Sequence, residues 1–154
     1  MTERLGISVE RVKEKEGVVQ FSVLVARGKD VFHSEKNPEG SIFTNPRLEE
    51  ALKKHKVGEK LGSMTLRDWG DILAIWSFDP NGPKKMGVGA GSLLLVSNQL
   101  LKTHSEHKIT VGTSSSDEFD AMWDKIGFGS GLPVKTFRER LLDYVKKHEG
   151  GGKR

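Results

Sequence analysis

The sequence predicts a single domain of mixed secondary structure, α+β or α/β, and three observations carry that prediction. The first third is rich in β-branched runs bounded by charged turns, the pattern of strands. The middle passes from an apolar run through a glycine-rich, basic loop into an apolar segment with helical spacing. Two later segments again place apolar residues at helical intervals. With 154 residues, the chain can bury one core without cross-links.

Ile7-Ser8-Val9-Glu10-Arg11-Val12 partly alternates, Lys13 to Gly17 is a charged turn, and Val18 to Ala26 is strongly β-branched. An antiparallel hairpin follows. Arg27-Gly28-Lys29-Asp30 turns into Val31-Phe32-His33, and the polar stretch Ser34 to Thr44 is a loop. Asn45-Pro46 opens a helix with Asn as N-cap, Pro at the first position and Glu49-Glu50 behind them. Gly58 is its expected stop. Met64 to Arg67 is a short strand, Asp68-Trp69-Gly70-Asp71 a turn, and Ile72 to Phe78 a buried strand. A helix from about Gly89 carries Leu93, Leu94, Val96, Leu100 and Leu101 and ends near His104. Lys108 to Gly112 is a strand. Ser114-Ser115-Ser116 caps a helix bearing Phe119, Met122, Trp123 and Ile126, stopped by Gly127. A last amphipathic helix carries Phe137, Leu141, Leu142 and Val145, so that residues 1–149 form the domain and 150–154 a flexible tail.

Composition removes several functions. There are no cysteines, which excludes disulfides, thiolate metal sites and a cysteine nucleophile. No apolar run approaches the ~20 residues of a membrane span, and Met1-Thr2-Glu3-Arg4 starts no signal-peptide pattern. A cytoplasmic, reducing setting is the expectation. The net charge of +4 favours anionic partners without announcing nucleic acid.

The stretch from Phe78 to Ser92 carries the chemistry. A strand, a glycine loop and a helix start make an anion site, because glycines admit a phosphate to the backbone and first-turn amides lack internal acceptors. Lys84 and Lys85 add charge there. A dinucleotide fold instead wants Gly-x-Gly-x-x-Gly at its first strand, which this chain lacks.

Lys84-Lys85-Met86-Gly87-Val88-Gly89, followed by Ala90-Gly91-Ser92-Leu93-Leu94, resembles the pyrophosphate loop of the Gcn5-related N-acetyltransferase family, with Lys in place of Gln or Arg. Phe78-Asp79-Pro80 matches the apolar residue, spacer and Pro that usually precede that loop, which here is one residue longer. Downstream, Ser116, Trp123 and Gly127-Phe128 hold the spacing of the family's fourth helix. The resemblance spans roughly Ile72 to Phe128.

It implies an α+β fold with one mixed, mostly antiparallel sheet flanked by helices, and transfer of an acetyl group from acetyl-coenzyme A to a primary amine of a protein or small molecule. The implied coenzyme contacts are Phe78, Lys84, Lys85, Met86, Gly87, Val88, Gly89, Ala90, Gly91, Ser92, Ser116 and Trp123. The thioester is expected between two diverging strands near Ser77–Phe78 and Val111–Thr113. Trp123 stands where the family usually has a tyrosine, and an indole N–H is no useful acid. Catalytic residues are therefore unassigned, with Asp71, Asp79 and Thr113 as candidates. The alternative is a catalytically inactive binding or regulatory protein on the same fold, for example a viral factor engaging a host protein or nucleic acid.

Other features have plainer readings. Ser114 to Ser116 is first a helix cap, and Trp123 shares a face with Phe119 and Ile126. Trp69 and Trp76 read as sheet-filling. His104 and His107 invite a metal reading, but no acidic or cysteine partner stands at ligand spacing, so the sequence favours cations near a helix C-terminus and no metal. Lys53-Lys54-His55-Lys56 and Lys146-Lys147-His148 suit solvated helix ends; on one shared surface they would suit an acidic or nucleic-acid partner.

Overall fold

A computed structural model describes residues 3–33, 35–80, 88–111 and 131–151, with the side chains of 13–15, 76–80, 111 and 147–151 left aside. The elements run β1 (Arg4–Lys15), β2 (Val18–Gly28), α1 (Pro46–Leu52), β3 (Lys60–Asp68), β4 (Ile72–Pro80), α2 (Val88–Thr103), β5 (Lys108–Val111), β6 (Leu132–Pro133) and α3 (Val134–Gly151). The strands form one sheet in sequence order, from β1 to β6. Every neighbouring pair is antiparallel except β4 and β5, which are parallel and joined through α2. The fold is therefore α+β on a mixed, mostly antiparallel sheet.

The hairpin forms where β-branched runs meet a glycine. Gly17 supplies the positive φ of the turn at +73°. From Arg4↔Gly28 to Val12↔Gln20 the two strands pair without interruption. On β2, Val19, Phe21, Val23 and Val25 are buried, alternating with less buried neighbours, so one face of this antiparallel pair packs on the core. Leu73, Ala74 and Ile75 on β4 are buried in succession, as a strand with a parallel neighbour should be.

The outer edge of β1 is closed by its own chain. Ile7 and Phe43 exchange backbone hydrogen bonds of 2.9 Å in both directions, and the Gln99 side chain donates to the Val9 carbonyl at 3.1 Å. Such cover keeps an unpaired strand edge from recruiting another chain. The segment that follows His33 is tied to the helices: the Arg138 guanidinium donates to the Pro38 carbonyl at 2.7 Å and to Asn98. Val31 and His33 form isolated bridges, to Ile42 and Asn37, instead of a strand.

Asn45 caps α1 as its sequence suggests, with its Oδ1 accepting from the Leu48 amide at 2.9 Å. The helix ends at Leu52, six residues before the expected stop, because hydrogen-bonded turns take over. His55 donates its amide to the Leu52 carbonyl, and Gly58, at φ +92°, donates to the Val25 carbonyl. β3 is longer than the four residues expected, since Gly62 pairs with Val23 on one side and Pro80 on the other.

α2 lies at the centre of the core. Val88, Gly91, Ser92, Leu93, Leu94, Leu95, Val96, Ser97 and Leu100 are all buried, so it is covered on nearly every side. Its buried hydroxyls are satisfied within the helix: Ser92 donates to the Val88 carbonyl at 2.6 Å and Ser97 to the Leu94 carbonyl at 2.7 Å. α3 packs against it through Val134, Phe137, Leu141 and Val145, a helical stripe.

Candidate functional site

The β4–α2–β5 unit positions the features singled out above. β4 delivers the chain to Pro80, and α2 begins at Val88. The parallel ladder runs from Ile72↔Lys108 to Ile75↔Val111, while β4 continues for five more residues paired only, among the described residues, with β3. At that point the register between β3 and β4 shifts. Leu66 pairs with Ile75 and Thr65 with Ser77, so Trp76 is an extra residue in β4. A bulge of this kind bends a strand and increases its twist, and bulges gather beside active sites. In open α/β sheets, ligands bind beyond the carboxyl ends of the parallel strands, where the strand order reverses. For β4 that end is Phe78–Pro80, immediately before the basic, glycine-rich residues 81–87, which lie outside the described residues.

The predicted site residues fall into three groups. Lys84, Lys85, Met86, Gly87, Ser116 and Trp123 lie outside the described residues, as does Thr113. Phe78 sits on β4 opposite Met64, and Asp79 opposite Ser63. Val88 to Ser92 form the first turn and a half of α2.

Within that turn the residues do different things. Helix geometry leaves the amides of Val88, Gly89 and Ala90 without intrahelical acceptors, whereas the Ser92 amide falls to the Val88 carbonyl. No acidic residue stands in this turn. Gly89 and Ala90 are partly exposed; Gly91 and Ser92 are buried. A Cβ on Gly91 would lie 2.3 Å from the Phe43 ring, which gives that glycine a packing role of its own. The Ser92 hydroxyl is likewise engaged inside the helix.

Asp71 is placed away from the loop. It precedes β4, and its carbonyl accepts the Lys108 amide at 2.9 Å. The length of β4, roughly 26 Å at 3.3 Å per residue, separates it from Phe78–Pro80, so it cannot serve as a base there. Each basic cluster carries acidic neighbours: Lys53 pairs with Glu50 at 2.8 Å, His55 with Glu59 at 2.7 Å, and Lys146 with Glu35 at 3.0 Å. These contacts hold the Glu35 and Glu59 carboxyls below their ordinary range, through hydrogen bonds from Lys146 and His55 respectively.

Sequence reading missed one residue. The sequence offered His104 and His107 no acidic partner at ligand spacing, but the fold brings Asp68 to both. Asp68 was legible only as part of a turn.

Comparison of the chain with protein-family models, with characterised proteins and with solved structures finds no match to any of them. No helix among the described residues is long and apolar enough to cross a membrane.

Proposed function

We propose that this protein binds acetyl-coenzyme A at the junction of β4 and α2 and transfers the acetyl group to a primary amine. The observation that carries the reading is the crossover itself. A β4–α2–β5 unit with a parallel pair starts its helix just after a basic, glycine-rich loop at the carboxyl end of β4. The motif resemblance stated for Ile72 to Phe128 supplies the choice of coenzyme.

In this reading the amides of Val88, Gly89 and Ala90 point their hydrogens at the pyrophosphate, together with those of the loop from Met86. A helix N-terminus stabilises an anion by about 0.3–1 kcal/mol, rising to ~2 where partly buried. Lys84 and Lys85 compensate the remaining charge. The bulge at Trp76 re-aims the β4 backbone beyond the β5 ladder, which makes room for the thioester near Ser77–Phe78. Attack by the neutral form of a bound amine on the thioester carbonyl forms the amide C–N bond and breaks the C–S bond. The nitrogen gives its proton to water, the coenzyme leaves as thiolate, and the protein need supply no covalent help. Holding the two reactants together can therefore supply much of the rate.

Trp123, in place of the usual tyrosine, favours a second reading in which the same fold binds a partner without turnover. A transfer assay separates the two. Purified protein is incubated with acetyl-coenzyme A and a panel of polyamines and lysine peptides, and free thiol is followed. Amine-dependent thiol release, lost in Gly89→Glu, supports transfer. Release that never exceeds buffer with any acceptor, together with no retention of the coenzyme, refutes the proposal.

A further inference from the structure

We propose that Asp68, His104 and His107 form a binding site for a divalent transition metal ion, Zn2+ being the best fit. Asp68 lies on a strand, and the two histidines lie in the short turn between α2 and β5. Asp68 ends β3, His104 follows the last residue of α2, and His107 precedes β5. β4 brings them together: its start pairs with β3 at Asp68↔Leu73 and with β5 at Ile72↔Lys108. The ligand atoms of all three lie within 4.8 Å of one another.

The backbone around the cluster is held at each corner. The His107 amide donates to the His104 carbonyl at 3.1 Å, a turn that sets the two rings side by side with centroids 4.8 Å apart. The His107 carbonyl accepts from Val134, and the Asp71 carbonyl accepts from Lys108. The Asp68 Oδ1 takes the Gly70 amide at 2.9 Å, which fixes the carboxylate. A frame of this kind suits a metal, because ligands on rigid elements lose little freedom on binding.

The distances favour a cation between the groups over direct pairing. The Nε2 atom of His107 is 3.5 Å from Asp68 Oδ1, and that of His104 is 3.8 Å from Asp68 Oδ2. Charge-assisted hydrogen bonds are shorter, about 2.7–2.9 Å. Donors bonded to one Zn2+ at about 2.0–2.1 Å stand roughly 3.3 Å apart in a tetrahedral arrangement. The carboxylate–imidazole separations need to close by a few tenths of an ångström to reach that spacing, and the widest pair of ligand atoms, up to 4.8 Å apart, by about 1.5 Å through rotation of the imidazole rings.

A second observation points the same way. Thr103 Oγ1 lies 2.7 Å from His104 Nδ1 and 3.4 Å from the Gln99 carbonyl. The hydroxyl can give its proton to Gln99 and accept the Nδ1 proton. That order leaves the Nε2 lone pair of His104 directed at the cluster, the arrangement that supporting hydrogen bonds give to metal-bound histidines. Two imidazoles and one carboxylate suit Zn2+, Co2+, Ni2+ or Fe2+ over Mg2+ and Ca2+. The side chains are between 15% and 28% exposed, so a fourth position is open to water. The site lies at the opposite end of β4 from the glycine loop and stands independently of the acetyl-transfer reading.

The test uses the full chain, stripped with chelator and titrated with Zn2+ by calorimetry and with Co2+ by visible absorption. One ion binds per chain, and Co2+ gives the intense bands of low-symmetry coordination. His104→Ala and His107→Gln abolish both signals. Asp68→Asn weakens them, and Thr103→Val lowers affinity roughly 10–100-fold. Zn2+ raises the thermal midpoint of the parent protein and leaves that of His107→Gln unchanged, with circular dichroism reporting that each variant is folded. Absence of stoichiometric binding, or binding that survives both histidine substitutions, overturns the proposal.

Discussion

Replacing Gly91 by alanine should destabilise this protein, although the same change in most helices does the opposite. Gly91 lies inside α2, where alanine ordinarily gains about 0.8–1.0 kcal/mol over glycine. Here the new methyl group would stand 2.3, 2.5 and 2.7 Å from three atoms of the Phe43 ring. Carbon atoms rest at about 3.5–4.0 Å, so the ring must retreat by more than ~1 Å. It is not free to do so. Phe43 exchanges two backbone hydrogen bonds with Ile7 and packs on Phe32 with ring centroids 5.9 Å apart. Overpacking costs about 1–3 kcal/mol, and the pinned ring places this case near the top. Subtracting the helix gain leaves a net loss of ~2 kcal/mol. With a urea slope of roughly 2 kcal/mol per molar, the midpoint falls by ~1 M. Phe43→Leu combined with Gly91→Ala should recover part of the loss, since the two sites share one space. A Gly91→Ala protein as stable as its parent would refute this packing.

Three further outcomes follow from single contacts. Asn45→Ala removes the α1 cap, and urea unfolding should show a loss of ~1 kcal/mol. Leu94→Ala opens a cavity beside the fully buried centre of α2 and should cost about 2–5 kcal/mol by the same method. Glu49 is held below the ordinary carboxylate range, first by the hydrogen bond from Arg4 and then by the Leu5 amide, against the opposing effect of burial. A depressed folded pKa means stability that is complete above the unfolded value and disappears as pH falls through the folded one. Glu49→Gln should therefore cost no more than about 1 kcal/mol at neutral pH, with the difference closing as pH drops below ~4.

Elements with strong local chemistry were legible in the sequence. The start of α1 followed from Asn45-Pro46, the β1–β2 hairpin from its β-branched runs around Gly17, and α2 from its apolar residues after the glycine loop. What depended on distant pairing was not. Gly62 and Ser63 are poor strand formers and are extended because β2 and β4 flank them. α1 stops at Leu52 because His55 bonds back to it, a contact with no sequence mark. Glycines and lysines marked the stretch before α2 as a candidate anion site, yet the same pattern did not tell Gly89, partly exposed in the first turn, from Gly91, pressed against Phe43. Asp68 shows the limit most clearly. It joins His104 and His107 only because β4 pairs with β3 on one side and β5 on the other.

Calorimetric titration of the purified chain with acetyl-coenzyme A tests the functional account most directly. Binding at micromolar concentration, with one coenzyme per chain and loss of affinity when Lys84 and Lys85 are both changed to Glu, is the result the account predicts. No heat of binding at millimolar coenzyme, from protein shown to be folded, would contradict it.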